Sequence, residues 1–96
     1  MRPSLVFHSN RDAVREIALR HHVCNVRVFG SVMRGDDVEG SDLDLLVDPT
    51  HETTLMDIGA IRFELRKLLG IEVEVLTPKA LPDSFRAKVI AEAILV

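Results

Sequence analysis

The chain has 96 residues, of which 47% are hydrophobic and 28% are charged, and this composition excludes a disordered segment. That length suffices for one domain with one modest core, so we expect residues 1–96 to form a single domain without a separate acceptor-binding domain. The formal net charge of -3 disfavours nucleic acid as a partner, because a protein that grips its phosphate backbone needs a basic surface.

The cysteine content and the distribution of apolar residues indicate in which cellular compartment the protein is expected. The single cysteine, Cys24, cannot form an internal disulfide, which fits a reducing environment. Apolar residues nowhere run for the length that a membrane span needs, and no long apolar segment follows Arg2. We therefore expect a cytoplasmic protein with no membrane partner.

The first third of the chain predicts a helix and a strand. Ser9 or Asn10 can cap a helix that runs to about His21, and its apolar face is formed by Val14, Ile17 and Ala18. Residues 25–29 alternate between polar and apolar side chains and end at Gly30, which indicates a strand.

Small and polar residues follow this strand. We expect a helical turn at residues 32–33, because the preceding Gly30-Ser31 pair can hold phosphate best at a helix N-terminus. Residues 36–40 are predicted to be a polar loop. Its charges, which we interpret as solvated, are Asp36, Asp37 and Glu39. Residues 43–47 are predicted to be the second strand.

The longest predicted helix follows Thr53 or Thr54 as its cap and ends at Gly70. Its core-facing stripe is formed by Leu55, Ile58, Ile61, Leu65, Leu68 and Leu69. Ile71–Leu76 alternates strictly, which predicts a third strand that Thr77-Pro78 ends.

The C-terminal segment predicts one more helix. It opens at Pro82-Asp83 and runs to about Ala93, with an inward face formed by Phe85, Val89 and Ile90. The apolar run Ile94-Leu95-Val96 fits either a buried terminus or an interface with another chain, of the same or a different kind.

Two carboxylates share one face of the second strand. Asp42 and Asp44 point the same way, while Leu43 and Leu45 point into the core. Interleaved leucines are typical of a strand and not of a Ca²⁺ loop, so these acids are expected to project toward Mg²⁺ and substrate phosphates. Asp48 lies roughly 13 Å from Asp44 at about 3.3 Å per residue, too far to share a paired metal site.

The spacing of these motifs resembles a known family. Gly30-Ser31, then Arg34-Gly35, then the segment from Ser41 to Asp48 with its S-D-x-D core, resembles the minimal nucleotidyltransferases (MNT) of the DNA polymerase beta superfamily. Members of the MNT class are antitoxins encoded beside HEPN-domain toxins. With the order of elements, the resemblance implies an α/β (α+β) fold with a small mixed sheet of three to four strands and helices mainly on one face.

The resemblance also implies site residues. The third acid of the family falls on Glu74 in the segment Val73-Glu74-Val75-Leu76-Thr77-Pro78, where many members have Asp; Glu72 shares its face and is the alternative. Asp42 and Asp44 would hold Mg²⁺, with two ions expected, and Glu74 would complete the second metal site or act as base. The ATP phosphates would contact Gly30 and Ser31.

Other polar residues are less directly tied to this chemistry. Arg34 could neutralise the leaving pyrophosphate or form a surface ion pair. None of the histidines is spaced as a metal ligand, and we interpret them as surface or packing residues: His8, His21, His22 and His51.

Three functions remain open at this stage. The resemblance implies a Mg²⁺-dependent enzyme that transfers AMP from ATP to a tyrosine hydroxyl of a cognate HEPN toxin and so acts as its antitoxin. A binding module that neutralises its partner by stoichiometric masking is the alternative, although masking needs no carboxylate pair. Transfer to a small molecule such as an aminoglycoside is a third option, but the relatives that do this carry additional domains.

Overall fold

A computed structural model describes all residues from Met1 to Val96, which form one four-stranded sheet with helices around it. The helices are α1 (Pro3–Ser9), α2 (Arg11–Leu19), α3 (Gly30–Arg34), α4 (Leu55–Leu69) and α5 (Arg86–Glu92), with a 3₁₀ turn at Pro78–Ala80. The strands are β1 (Val23–Phe29), β2 (Leu43–Pro49), β3 (Val73–Leu76) and β4 (Ile94–Leu95). None of these helices combines the length and the apolar character that a membrane crossing requires.

The sheet is mixed, with the strand order β3-β2-β1-β4. Strand β1 pairs antiparallel with both β2 and β4, whereas β2 and β3 run parallel. A parallel pair needs a long crossover connection, and α4 supplies it between β2 and β3. The predicted α/β architecture is therefore confirmed.

One face of the sheet carries the main core. Apolar residues of β1, β2 and β3 alternate inward and meet buried residues of the helices, chiefly Phe7, Val14, Ala18, Ile61 and Leu65. In β1 the alternation shifts where Asn25, at φ 51°, interrupts the register with β2. This bulge lets both Val23 and Val26 face the core although they are three residues apart.

The opposite face is covered more sparsely. Leu46 and Leu81 are buried but lie outside the main core cluster, and the 3₁₀ turn that precedes Leu81 contacts β2. Arg86 joins α5 to this segment, because its guanidinium donates hydrogen bonds to the backbone oxygens of Pro78, Lys79 and Leu81. Helix α5 is thus anchored by polar contacts and has no buried residue of its own.

Helix α4 begins and ends at the cap residues predicted from the sequence, Thr54 and Gly70. Thr54 accepts a hydrogen bond from the Asp57 backbone N–H while the Asp57 carboxylate accepts one from the Thr54 backbone N–H, a reciprocal capping box. Gly70 ends the helix in the left-handed conformation at φ 67°, which is strained for other residues. The predicted stripe is wrong at its edges, because Leu55 is 90% and Leu68 48% exposed.

The N-terminal region differs from the expectation. Helix α1 was not predicted, and α2 begins only at Arg11 and ends at Leu19. Asn10 makes no side-chain cap for α2, because its amide instead donates to the Val6 carbonyl of α1. The polar Ser9-Asn10 pair therefore marks a junction between two helices and not the start of a single one.

The C-terminal region contains the largest correction. Helix α5 begins at Arg86 and not at Pro82-Asp83, and the side chains expected inside are mostly outside: Phe85 is 46% and Ile90 39% exposed, with Val89 half-buried. Helical periodicity predicted one apolar face but could not show that no layer covers it. Residues 94–95 form β4 at the sheet edge beside β1.

Asp37 is also not the solvated loop charge that the sequence suggested. Its side chain is fully buried and accepts hydrogen bonds from the Ser4 backbone N–H at 2.8 Å and from Arg2 at 3.1 Å. Burial alone would raise the pKa of Asp37, but the bonds from Ser4 and Arg2 outweigh it and lower that pKa. The carboxylate thus satisfies a free N–H in the first turn of α1 and joins this helix to the 36–40 loop.

Replacing Asp37 should therefore destabilise the fold. We expect Asp37→Ala to lower the urea midpoint of unfolding clearly, because a buried N–H and Arg2 lose their acceptor. Glu39→Ala, in the same loop but exposed, is the matched control and should leave the midpoint nearly unchanged. Equal midpoints for the two variants would contradict this role. The stabilising effect of Asp37 should fade as the pH falls through its lowered pKa, since protonation removes the charge.

Candidate active site

Strand register brings one row of side chains together across the sheet. Phe29 of β1 pairs with Asp44 of β2, and Asp44 pairs with Glu74 of β3. Directly paired residues project from the same face of a sheet, so these three lie on the face opposite the main core. Asp42, two residues before Asp44, has the same parity.

Three carboxylates form a cluster at this place. One oxygen each of Asp42, Asp44 and Glu74 lies within 4.8 Å of the other two. Asp44 is half-buried, whereas Asp42 and Glu74 are exposed. Mg²⁺ is a hard cation that binds carboxylate oxygens and keeps several water or phosphate ligands, and the exposure of Asp42 and Glu74 leaves room for these, so the residues fit a divalent cation.

The cluster is electrostatically unfavourable by itself. Burial of Asp44, together with the negative charges of Glu74 and Asp42, raises its pKa to about 6, and the positive charge of Arg34 opposes this only in part. A divalent cation between the carboxylates would remove the repulsion. The three clustered carboxylates therefore favour a bound metal ion more strongly than a single isolated carboxylate would.

Gly30 packs against the cluster so closely that only glycine fits. Its φ of 72° lies in the left-handed region, and a Cβ atom there would lie 2.3 Å from Oδ2 of Asp44. Gly30 thus allows the chain to turn from β1 into α3, and its missing side chain leaves space for the Asp44 carboxylate. Sequence analysis expected Gly30 beside phosphate, and the structure adds this contact with Asp44.

The other two residues expected to contact phosphate lie on α3. Ser31 is half-buried in the first turn, directly after Gly30. Arg34 is exposed and forms an ion pair with Asp36 at 3.2 Å, while its charge also acts on Asp44. The structure shows the surface ion pair that was one reading of Arg34, while its contact with the leaving pyrophosphate stays a prediction.

Two other acids lie outside the cluster. Glu72, the alternative third acid, is directed to α4, where it forms ion pairs with Arg66 at 2.8 Å and Arg62 at 3.7 Å. Asp48 accepts hydrogen bonds from Arg27 and, at 2.8 Å, from Asn25. The structure thus brings Glu74, and neither of these two, beside Asp42 and Asp44.

Two of the four histidines form polar contacts with α4. His21 pairs with Glu64 of α4, and His22 lies 3.3 Å from Asp57, whose pKa is lowered first by the Thr54 backbone N–H and further by His22. None belongs to the carboxylate cluster. Sequence reasoning missed Phe29 as a neighbour of the site, because only the pairing of β1 with β2 brings it there.

Comparison with known proteins identifies the family. Residues 11–96 match the model of the nucleotidyltransferase domain. The chain belongs to the nucleotidyltransferase family. This match confirms the resemblance seen in the sequence, and it covers all four strands and the three clustered acids of this nucleotidyltransferase.

Two relatives of similar length are named protein adenylyltransferases. The nucleotidyltransferase is 32% identical over 82 residues to the protein adenylyltransferase MntA of Thermococcus cleftensis, covering 85% of this chain and 83% of that protein. It is 35% identical over 78 residues to a Methanocaldococcus jannaschii protein provisionally named a protein adenylyltransferase, covering 81% of this chain and 84% of the relative.

At least two solved structures share the fold of this chain. A structure provisionally described as a minimal nucleotidyltransferase has a TM-score of 0.86 at 39% identity and covers 97% of this chain and 95% of its own. The crystal structure of a toxin-antitoxin with AMP-PNP has a TM-score of 0.76 at 15% identity, covering 90% of this chain and 71% of that one, so that likeness is one of fold.

The contact between Gly30 and Asp44 can be tested with a matched pair of variants. Gly30→Ala and Gly35→Ala both place a side chain at positive φ, which costs roughly 1–2 kcal/mol, but nothing lies within 4 Å of the Gly35 Cβ position. We expect Gly30→Ala alone to weaken Mg²⁺ binding, by about tenfold or more, because it displaces the Asp44 carboxylate. Titration calorimetry with Mg²⁺ measures this, and equal affinities for the two variants would contradict it.

The raised pKa of Asp44 predicts a pH-dependent cost in stability. Because folding raises this pKa from 3.8 to about 6, the contribution of Asp44 to the free energy of unfolding in EDTA should fall as the pH rises from about 4 to about 6. Asp44→Asn removes the charge and should be more stable than wild type by about 1–2 kcal/mol at pH 7.5, less than the full shift in pKa would give because solvent screens this half-exposed group. Urea unfolding from pH 4 to pH 8 measures the difference, and a constant difference over that range would refute the prediction.

Proposed function

We propose that this nucleotidyltransferase transfers AMP from ATP, with Mg²⁺, to a side-chain hydroxyl of a partner protein. The observation that carries the proposal is the cluster of Asp42, Asp44 and Glu74 directly beside the glycine turn of α3. Family membership supplies the reaction class, and the names of the two relatives supply protein as the acceptor.

The residues divide into those that bind and those that move a proton. Asp42 and Asp44 would hold Mg²⁺, which, when bound, neutralises phosphate charge and activates the α-phosphorus for attack, and Glu74 is the remaining acid of the cluster. Ser31 and Arg34 would contact the outer phosphates, where charge develops on the leaving group.

The group transfer balances as a single displacement. The acceptor oxygen forms a bond to the α-phosphorus, the bond from that phosphorus to the bridging oxygen of the β-phosphate breaks, and pyrophosphate leaves. The hydroxyl proton must be removed, and Glu74 is an exposed carboxylate of the cluster that is within reach of an acceptor from solvent. We therefore assign proton acceptance to Glu74.

A toxin partner is the acceptor that we favour. Solved toxin-antitoxin structures, one with AMP-PNP and one named as MntA with its toxin, share the fold of this chain. With the sequence resemblance, this supports a HEPN-family toxin, a tyrosine hydroxyl as target and a role as antitoxin in the cytoplasm. The chain itself contains no tyrosine, so any AMP found on tyrosine must lie on the partner.

Intact-mass analysis tests transfer. The acceptor to test is the protein encoded by the adjacent gene, co-expressed with this chain. We expect it to gain one or more AMP units after incubation with this chain, ATP and Mg²⁺. The Asp42→Asn/Asp44→Asn double variant should abolish the gain, because it removes the proposed metal ligands. A tight complex with no mass gain would favour stoichiometric masking, and a gain that survives in the double variant would reject the assigned site.

A second comparison tests the assignment of Glu74. Glu74→Gln should reduce the rate of transfer about 100-fold or more, in the range that removal of a positioned proton acceptor produces. Glu72→Gln, two residues away and paired with α4, should keep a rate close to wild type. Initial rates of AMP incorporation at fixed ATP and Mg²⁺ measure both, and similar rates for the two variants would contradict the assignment.

A further inference from the structure

The side of α4 that is opposite to its buried residues carries large apolar side chains exposed to solvent. Met56 is 84% exposed, Phe63 is 67% exposed, and Leu55 in the first turn is 90% exposed. Gly59 lies between Met56 and Phe63 on the same side of the helix, because residues three and four positions apart are neighbours on a helix surface. We call the surface formed by Leu55, Met56, Gly59 and Phe63 the α4 outer face.

Gly59 has no structural role within this chain. It lies in the interior of a helix of 15 residues, where glycine is less favourable than alanine because its backbone loses more freedom on folding. Its φ is not positive, and a Cβ atom there would meet nothing within 4 Å. Neither the backbone nor a neighbour therefore requires glycine. The missing side chain instead leaves a low point between Met56 and Phe63, where a second backbone can approach closely.

The charges at the two ends of the α4 outer face have opposite signs. Glu52, in the turn before the helix, is exposed and forms no ion pair within the chain. Lys67, in the last turn, is also exposed and also forms no ion pair within the chain. A surface that is acidic at one end and basic at the other is electrostatically complementary to a copy of itself turned end for end.

Two antiparallel α4 helices that cross at Gly59 would match both features. Each residue then opposes the one that lies about equally far beyond Gly59 in the other copy. Leu55, four residues before Gly59, meets Phe63, four residues after it. Glu52, seven residues before Gly59, meets Lys67, eight residues after it. Each contact occurs twice, because a two-fold interface uses the same surface of both copies.

We propose that the α4 outer face joins two copies of this chain in an antiparallel, two-fold interface centred on Gly59. Burial of the exposed apolar residues stabilises the dimer, and the contacts of Glu52 with Lys67 fix the direction of the helices. A hollow of about 520 Å³ beside Phe63 receives apolar side chains of the other copy. The carboxylate cluster lies on the opposite face of the sheet, so both clusters stay open in the dimer.

Sedimentation velocity over a series of concentrations measures the oligomeric state of the full chain. We expect a dimer whose fraction rises with concentration, because one helix face is smaller than the interface of a permanent dimer. Gly59→Gln should weaken association about tenfold or more, because the added side chain separates the helices, and should raise the melting temperature, because glutamine is the better helix former. A loss of association in a more stable chain cannot result from unfolding.

Charge reversal tests the antiparallel arrangement. Glu52→Lys and Lys67→Glu should each weaken self-association, because like charges then meet at both ends of the interface. An equimolar mixture of these two variants should associate as wild type does, since every lysine of one copy then meets a glutamate of the other. Lys79→Glu changes an exposed lysine in the 3₁₀ turn on the opposite face of the sheet, so this matched control should self-associate as wild type does.

Three results would overturn the proposal. The first is a wild-type chain that stays monomeric at every concentration, and a complex with the partner protein that Phe63→Ala weakens would then assign the α4 outer face to that partner. The second is a dimer that Gly59→Gln leaves unchanged, because the interface would then lie elsewhere. The third is a mixture of Glu52→Lys and Lys67→Glu that stays monomeric while wild type dimerises. AMP transfer by Gly59→Gln tests the proposed function separately, since residue 59 lies far from the carboxylate cluster.

Discussion

Parallel pairing of β2 with β3 holds carboxylates together that would otherwise repel one another. The register sets Asp44 beside Glu74, and the two-residue strand period adds Asp42 to the same face. The raised pKa of Asp44 shows the electrostatic cost of this arrangement in the absence of a cation. The main core on the other face of the sheet, with Leu43 and Leu45 fully buried, maintains the strand positions against that cost.

The same constraint explains the neighbouring turn. Asp44 occupies the space that a side chain at residue 30 would need, so β1 must pass into α3 through a glycine. Helix α3 therefore starts directly beside the carboxylates, and Ser31 and Arg34 follow within one turn. The candidate metal ligands lie at β2 and β3, and the candidate phosphate contacts lie on α3, which makes a compact site possible in a chain of 96 residues.

The two faces of the sheet separate the main core from the candidate site. Helices α1, α2 and α4 cover the core face, and buried Asp37 fastens α1 to the loop that leads to Asp42. The opposite face carries the cluster and is covered only by the 3₁₀ turn and α5, which Arg86 anchors through backbone carbonyls. That sparse cover leaves a groove beside the carboxylate cluster.

Local patterns in the sequence determined the three main strands, the capped α4 helix, the helical turn after Gly30 and the shared face of Asp42 and Asp44, because strand period, helix period and caps depend on neighbours in the chain. The choice of Glu74 as third acid came from the family resemblance. Tertiary structure decided what depends on distant partners. Glu72 and Glu74 look alike in sequence, but Arg62 and Arg66 of α4 pair with Glu72, while Glu74 joins Asp44. Asp37 is buried because Ser4 and Arg2 reach it, and Phe85 is exposed because no layer packs over α5. Burial and charge pairing arise between segments far apart in the chain, so periodicity alone could not reveal them.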